Sequence, residues 1–309
     1  MIRDYVRLAR VDHWFKNVFM LPGIVLGWLV CRPANPISTL ACVLIGVVST
    51  CLVCSSNYTI NEILDAVQDS KHPDKKFRPA AAGRIRSSMA YTQWVLLAIA
   101  GMGLAWIVGP EFFLAELFLF GMGIIYNVRP LRSKDIPYID VLSESINNPL
   151  RLILGWYAVR CVLIPPASLM LSYWLLGTFF MAVKRFAELR HIGDKATAIA
   201  YRRSFAHYTE EQLLVSIVSY ATASALFGGI FIIRYRVELI LAVPVLAGFM
   251  GMYMRIGFLP NSPAQHPETL YKQKALTIYG LVTIIILIVC YVVRIPWLSR
   301  IFEPTIPIA

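Results

Sequence analysis

Residues 57–79 read Asn-Tyr-Thr-Ile-Asn-Glu-Ile-Leu-Asp-Ala-Val-Gln-Asp-Ser-Lys-His-Pro-Asp-Lys-Lys-Phe-Arg-Pro. A helix advances about 100° per residue, so Asn61, Glu62, Asp65 and Asp69 share one arc of about 100°. Three carboxylates on one stripe at the end of an apolar helix repel one another and cost desolvation. A divalent cation relieves both. Oxygen donors without paired His or Cys select a hard ion, and Mg²⁺ bridging to a phosphate is the usual solution. Asn61, Glu62, Asp65 and Asp69 are therefore the candidate metal ligands. The cations that follow, Lys71, Lys75, Lys76 and Arg78, suit a grip on phosphate oxygens. His72-Pro73 is expected to stop the helix, because proline turns the preceding residue away from the helical region. The competing reading is a solvated helix end with charges paired across a loop. The alignment of the acidic stripe against a basic segment favours ligands over that alternative.

The elements that must carry this stripe lie in a membrane. The 309 residues are 58% hydrophobic and 15% charged, with a mean hydropathy of +0.63. Soluble domains carry roughly a quarter charged residues, and disordered chains need the opposite bias. The net charge of +11 would suggest nucleic acid in a soluble protein. Here basic loops that fix membrane orientation account for it, and no nucleic-acid partner is expected. Cys51 and Cys54 form a C-x-x-C in mid-helix with no second pair, a poor metal or redox site. The N-terminal segment has scattered charges and no cleavage site of a signal peptide.

Apolar runs place nine spans at 18–32, 38–60, 89–108, 112–128, 138–159, 167–187, 212–233, 237–258 and 276–295. Open sheet edges cannot live in hydrocarbon, so the prediction is an all-α bundle. Of the 29 Lys and Arg residues, 22 fall in the N-terminal segment and the even-numbered loops. The positive-inside rule makes those segments cytoplasmic and the C-terminus external. The loops after spans 2 and 6 run to roughly 25 residues, longer than helix connections usually need, and read as functional caps on the cytoplasmic side. No internal repeat or low-complexity stretch divides the chain, so 1–309 reads as one domain.

The motif Asn61-Glu62-x-x-Asp65-x-x-x-Asp69 resembles the first aspartate-rich motif of the UbiA superfamily of intramembrane prenyl-group transferases. The stretch His72-Pro-x-Lys75-Lys76-x-Arg78-Pro-x-Ala-x-Gly83 is similar to the branch that includes decaprenyl-phosphate phosphoribosyltransferase. So are Trp14-Phe-Lys16-Asn17, Tyr126-Asn127 followed by Lys134 and Pro-Tyr-Ile-Asp140-Val, Arg151 with Gly155, and Lys184-Arg185-Phe-Ala-Glu188-Leu. The likeness runs from residue 1 to about 210. It implies a transferase in the bacterial cytoplasmic membrane with Mg²⁺ as cofactor. Asp65, Asp69, Asp140 and Lys184 are the implied catalytic residues. Lys16, Asn17, Lys75, Lys76, Arg78, Tyr126, Lys134, Arg151, Arg185 and Glu188 are the implied substrate-binding set.

Two departures from the pattern carry meaning. Glu62 stands where the superfamily usually has Asp. The second D-x-x-x-D, which holds an allylic diphosphate in aromatic prenyltransferases, is missing after span 6, where Glu188 and Asp194 stand instead. Asp140 with Glu144 is a weaker substitute. The absence fits a branch whose donor is phosphoribosyl pyrophosphate and whose acceptor is a polyprenyl phosphate with its tail among membrane lipids, in an apolar groove between spans. A prenyltransferase using a prenyl diphosphate lipid is the alternative enzyme. A transporter or lipid-binding scaffold is the alternative from another class, though repeats and broken midplane helices would then be expected. Lys184 and Glu188, four apart, can also be read as a simple helix pair. Trp14 and Lys16 can be read as an interfacial anchor, and His191 and His207 as loop residues without catalytic work.

Overall fold

The computed structural model describes residues 2–71, 75–265 and 267–302. They form α1 (Ile2–Leu8), α2 (Leu21–Cys31), α3 (Pro36–Asp69), α4 (Ser87–Val108), α5 (Pro110–Asn127), α6 (Ile139–Ser145) and α7 (Asn147–Ala158). There follow α8 (Ala167–Ile192), α9 (Lys195–Tyr201), α10 (Glu210–Tyr235), α11 (Val243–Gly257), α12 (Lys274–Val292) and α13 (Pro296–Ile301). Among the described residues there is no strand. The chain divides into two compact units, one holding α1–α7 and α9, the other α8 and α10–α13.

The helix that carries the acidic stripe is the longest. α3 opens on Pro36, and Asn35 caps it by accepting a hydrogen bond from the Ser38 amide at 3.1 Å. Its 34 residues span about 50 Å at 1.5 Å each, against a hydrocarbon core of about 30 Å. The excess projects Asn61–Asp69 past the apolar layer. Along the other end, exposed Ile37, Leu40, Leu44 and Val48 recur at helical spacing and suit lipid tails. α3 ends at Asp69, so its connection to α4 occupies 70–86, shorter than expected. The proposed helix stop at His72-Pro73 lies outside the described residues.

Close backbone approach binds α2 to α7. A Cβ on Gly155 would run into the Met20 carbonyl, and one on Gly23 into the Leu152 carbonyl. Small residues are what permit helices to approach so closely in hydrocarbon. A disulfide joins Cys31, at the end of α2, to Cys161, just beyond α7, with Cα atoms 5.6 Å apart. The sequence reading had left these two cysteines without a role.

In the other unit, the Ser172 and Ser224 hydroxyls each donate to the other residue's carbonyl at 2.9 Å, tying α8 to α10. Phe180 meets Tyr253 edge-on at 4.7 Å.

Among the described residues, seven helical stretches are long and apolar enough to cross a membrane. The predicted spans at 112–128 and 138–159 are not among them. Glu111, Glu116 and Asn127 dilute the apolar run of α5, and the chain breaks between α6 and α7 at Ile146. The segment after α8, expected to be a loop, is largely helical: α9 is capped by Asp194, and a 3₁₀ turn follows over Arg203–His207.

Candidate active site

Three turns at the end of α3 present Asn61, Glu62, Asp65 and Asp69, and every carboxylate there is held by a cation. Buried Glu62 accepts from Arg10 at 3.2 Å and, through its other oxygen, from the Ala80 amide at 3.3 Å. Asp65 accepts from Lys134 Nζ at 2.6 and 2.7 Å and from Arg132 Nη2 at 2.8 Å. Asp69 accepts from Arg78 Nη1 at 2.6 Å. Burial opposes the charge on Arg78, but Asp69 outweighs it and holds the guanidinium above its ordinary value.

Asn61 donates to Asp65 at 3.2 Å and to the side-chain oxygen of Asn127, which also accepts from Lys134 at 2.8 Å. Asn127 anchors itself by donating to the Gly123 carbonyl at 2.8 Å. Gly123 must stay small, because a Cβ there would collide with the Asn57 side chain. Lys134 lies just past α5 and is nearly enclosed. Burial pulls its ammonium down to about 8, against the attraction of Asp65. A cation kept at such a cost gains much from a multiply charged anion.

The segment that follows α9 closes one side. Lys75 donates to the Tyr201 hydroxyl and lies 4.3 Å from the centre of that ring. Asp140 is fully buried and accepts from Tyr208 at 2.6 Å, Ser204 at 3.2 Å and Arg202 at 3.3 Å. Tyr126 donates to Glu144 at 2.7 Å. Asp140 and Glu144 thus lie within hydrogen-bond networks of their own. Asp194, the other substitute acid, accepts from the Thr197 amide at 2.8 Å as the cap of α9.

Between α3 and this segment lies a cavity of about 290 Å³, lined by Asp65, Asp69, Lys71, Arg132, Lys134, Tyr201, Arg202 and Arg203 among others. Lys76 is exposed and does not line the cavity; its ammonium lies 5.2 Å from the Phe77 ring centre.

Six sequence candidates belong to other parts of the chain. Arg151, buried in α7, donates to Asn17 at 2.9 Å and contacts Cys54 Sγ at 3.3 Å, with Cys51 accepting from Asn17 at 3.1 Å. Lys16 sits near His13 at 3.2 Å and 5.7 Å from the Tyr58 ring centre. These form a polar column down α3 from Glu62. Lys184, Arg185 and Glu188 belong to α8 in the other unit, where buried Arg185 donates to Glu188 at 2.7 Å.

In the sequence Arg10, Arg132, Arg202 and Arg203 count only toward orientation, and Tyr201 is a further lining residue that no pattern marks. No spacing marks them, because they reach the stripe from distant segments.

The donor set fits a hard divalent ion: carboxylate and amide oxygens on one helix face, without His or Cys. Among the described residues no three acidic, His or Cys side chains converge closely enough to hold one. Basic side chains occupy the carboxylates instead. These same groups are the ones a metal-bound diphosphate would engage.

Among the described residues the fold is all-helical, with paired carboxylates and cations at the end of one long apolar helix. The model of the UbiA prenyltransferase family matches residues 19–278, and the chain belongs to that family. It is 31% identical over 234 residues to decaprenyl-phosphate phosphoribosyltransferase of Mycobacterium tuberculosis, covering 75% of this chain and 74% of the relative. The enzyme of that name from Mycolicibacterium smegmatis is 28% identical, covering 75% of this chain and 70% of the relative. Among solved structures, a UbiA homolog from Archaeoglobus fulgidus bound to GPP and Mg²⁺ superposes with a TM-score of 0.70 at 19% identity, covering 96% of this chain and 99% of the other. The protein is an integral membrane transferase.

Proposed function

We propose that the protein transfers a phosphoribosyl group from phosphoribosyl pyrophosphate to a polyprenyl phosphate. The observation that carries this reading is the alternation of carboxylates and cations at the end of α3: Glu62 with Arg10, Asp65 with Lys134 and Arg132, Asp69 with Arg78. Such an array can exchange its internal pairs for an anion and a counter-ion together, with little change in net charge. The names of the relatives support the donor and acceptor.

Asn61, Glu62, Asp65 and Asp69 would hold Mg²⁺, which when bound neutralises charge on the pyrophosphate. Arg78, Lys75, Lys76 and Lys134 hold the pyrophosphate oxygens by charge-assisted hydrogen bonds. A phosphate oxygen of the lipid forms the new bond to ribose C1 as the bond from C1 to pyrophosphate oxygen breaks. The electron pair leaves with the pyrophosphate, whose charge those cations stabilise. Asp140 acts at one remove, fixing the segment that carries Arg202 and Tyr208. Tyr126, Lys16, Asn17, Arg151, Arg185 and Glu188 keep the substrate-binding role, and Lys184 the catalytic role, that the family resemblance implies.

The proposal includes nine membrane-crossing elements, with α5 and the α6–α7 pair completing the seven, in one domain capped on its cytoplasmic side. The N-terminus and the site face the cytoplasm, where a soluble phosphoribosyl donor is at hand, and the membrane is the bacterial cytoplasmic one. Purified protein offered labelled phosphoribosyl pyrophosphate with polyprenyl phosphate is expected to form the lipid-linked phosphoribose. If it instead consumes a prenyl diphosphate with an aromatic acceptor and ignores phosphoribosyl pyrophosphate, the reading is wrong.

A further inference from the structure

Charge accounting around the 290 Å³ cavity leaves a remainder. Its acids Asp65, Asp69 and Asp135 are all paired, to Lys134, Arg78 and Arg132. Arg202 is paired to Asp140. Two lining cations have no acidic partner among the described residues: Lys71, just past the end of α3, and Arg203, just past α9. Both are exposed to solvent, one from each of two segments that pack together.

We propose that Lys71 and Arg203 form a second anion subsite, which takes the monophosphate of a donor phosphorylated at both ends of its sugar. The inference rests on the phosphoribosyl reading above and names what would select that donor over a prenyl diphosphate. A phosphate monoester carries a charge of about −1.5 to −2 near neutral pH, which two unpaired cations match. The pyrophosphate of the same donor already has its cations on the acidic stripe. A prenyl diphosphate offers nothing at its far end but hydrocarbon. The cavity suits the sugar phosphate in size, lying near the lower end of ligand pockets of about 300–1,000 Å³. Its apolar lining is Val67, Ile199, Ala200 and the Tyr201 ring, too little for an isoprenoid chain.

Calorimetry on full-length protein in detergent separates the outcomes. Wild type is expected to bind phosphoribosyl pyrophosphate about a hundredfold more tightly than ribose 1-pyrophosphate, which lacks the monophosphate, at about tenfold for each cation. The double variant Lys71→Gln/Arg203→Gln should bind both equally while keeping wild-type affinity for inorganic pyrophosphate. That last measurement also reports that the variant is folded; if it is lost, the single variants are read the same way. Unchanged preference for phosphoribosyl pyrophosphate in the variants overturns the subsite and leaves the function standing. A raised KM for polyprenyl phosphate with donor affinity intact also overturns it, by placing the lipid headgroup there. A wild type that binds pyrophosphate and geranyl diphosphate but not phosphoribosyl pyrophosphate overturns the function and the subsite together.

Discussion

Asp65 serves two partners at once: Arg132, which Asp135 also holds, and buried Lys134. Removing its side chain outright would strip the buried Lys134 ammonium of its carboxylate, a change that costs folding energy as well as activity. Asp65→Asn is the cleaner probe, since it keeps hydrogen-bonding capacity and loses the charge. Turnover is expected to fall by about 10²–10³ in Asp65→Asn and in Asp69→Asn, with circular dichroism and detergent-solubilised yield unchanged. Glu62→Asp should be tolerated far better. Chelation by EDTA should abolish turnover and added Mg²⁺ restore it; activity that persists in EDTA removes the metal assignment. Arg78 tests the grip on the donor. Its planar fork is not reproduced by lysine, so Arg78→Lys is expected to raise the KM for phosphoribosyl pyrophosphate by about tenfold or more, leaving that for polyprenyl phosphate near wild type. Unaltered donor KM would make the basic segment a membrane-orienting element only. The acidic residues were legible in the sequence because they share a helix, where spacing converts directly into a common face. Arg10, Arg132 and Arg202 were not, because their partners Glu62, Asp65 and Asp140 lie 52 to 67 positions away and are met only after folding.

At the scale of elements, α3 was the most readable feature, since a capped, proline-led apolar run longer than a bilayer must project its end. The segment around α9 was the least readable. Its polarity matched a loop, but Asp194 caps a helix there and Asp140 holds the following turn. The cap is a local signal at three residues' spacing, but the contact that holds the turn reaches across 68 residues, where no local pattern shows it. The α2–α7 crossing depends on glycine at the point of contact. Gly155→Val is therefore expected to destabilise the protein by about 1–3 kcal/mol through overpacking, lowering its melting temperature in detergent. Gly103→Ala, with open space around the new methyl group, serves as the control and should not shift it.

For the whole molecule, the asymmetry of basic residues predicts that reporters fused after residues 80 and 195 respond from the cytoplasm, and one fused after 309 from outside. A reporter at 80 that responds from outside would reverse the orientation and cut the site off from its donor. The bond between Cys31 and Cys161 bears on the same question by an unrelated route. Cys31 lies at the end of the first predicted span and Cys161 just after the fifth, both at ends that the charge count directs outward. Thiols persist in the reducing cytosol and pair where an oxidant reaches them. The linkage thus works as a chemical record of which compartment each end of the bundle met during assembly. Membranes from a host lacking its periplasmic thiol oxidase should yield protein in which both positions accept a maleimide tag, whereas protein from the normal host should accept it there only after reduction. Were the pair to take up the tag unreduced in the normal host, that end of the molecule would be facing the cytosol, and the acidic stripe the outside.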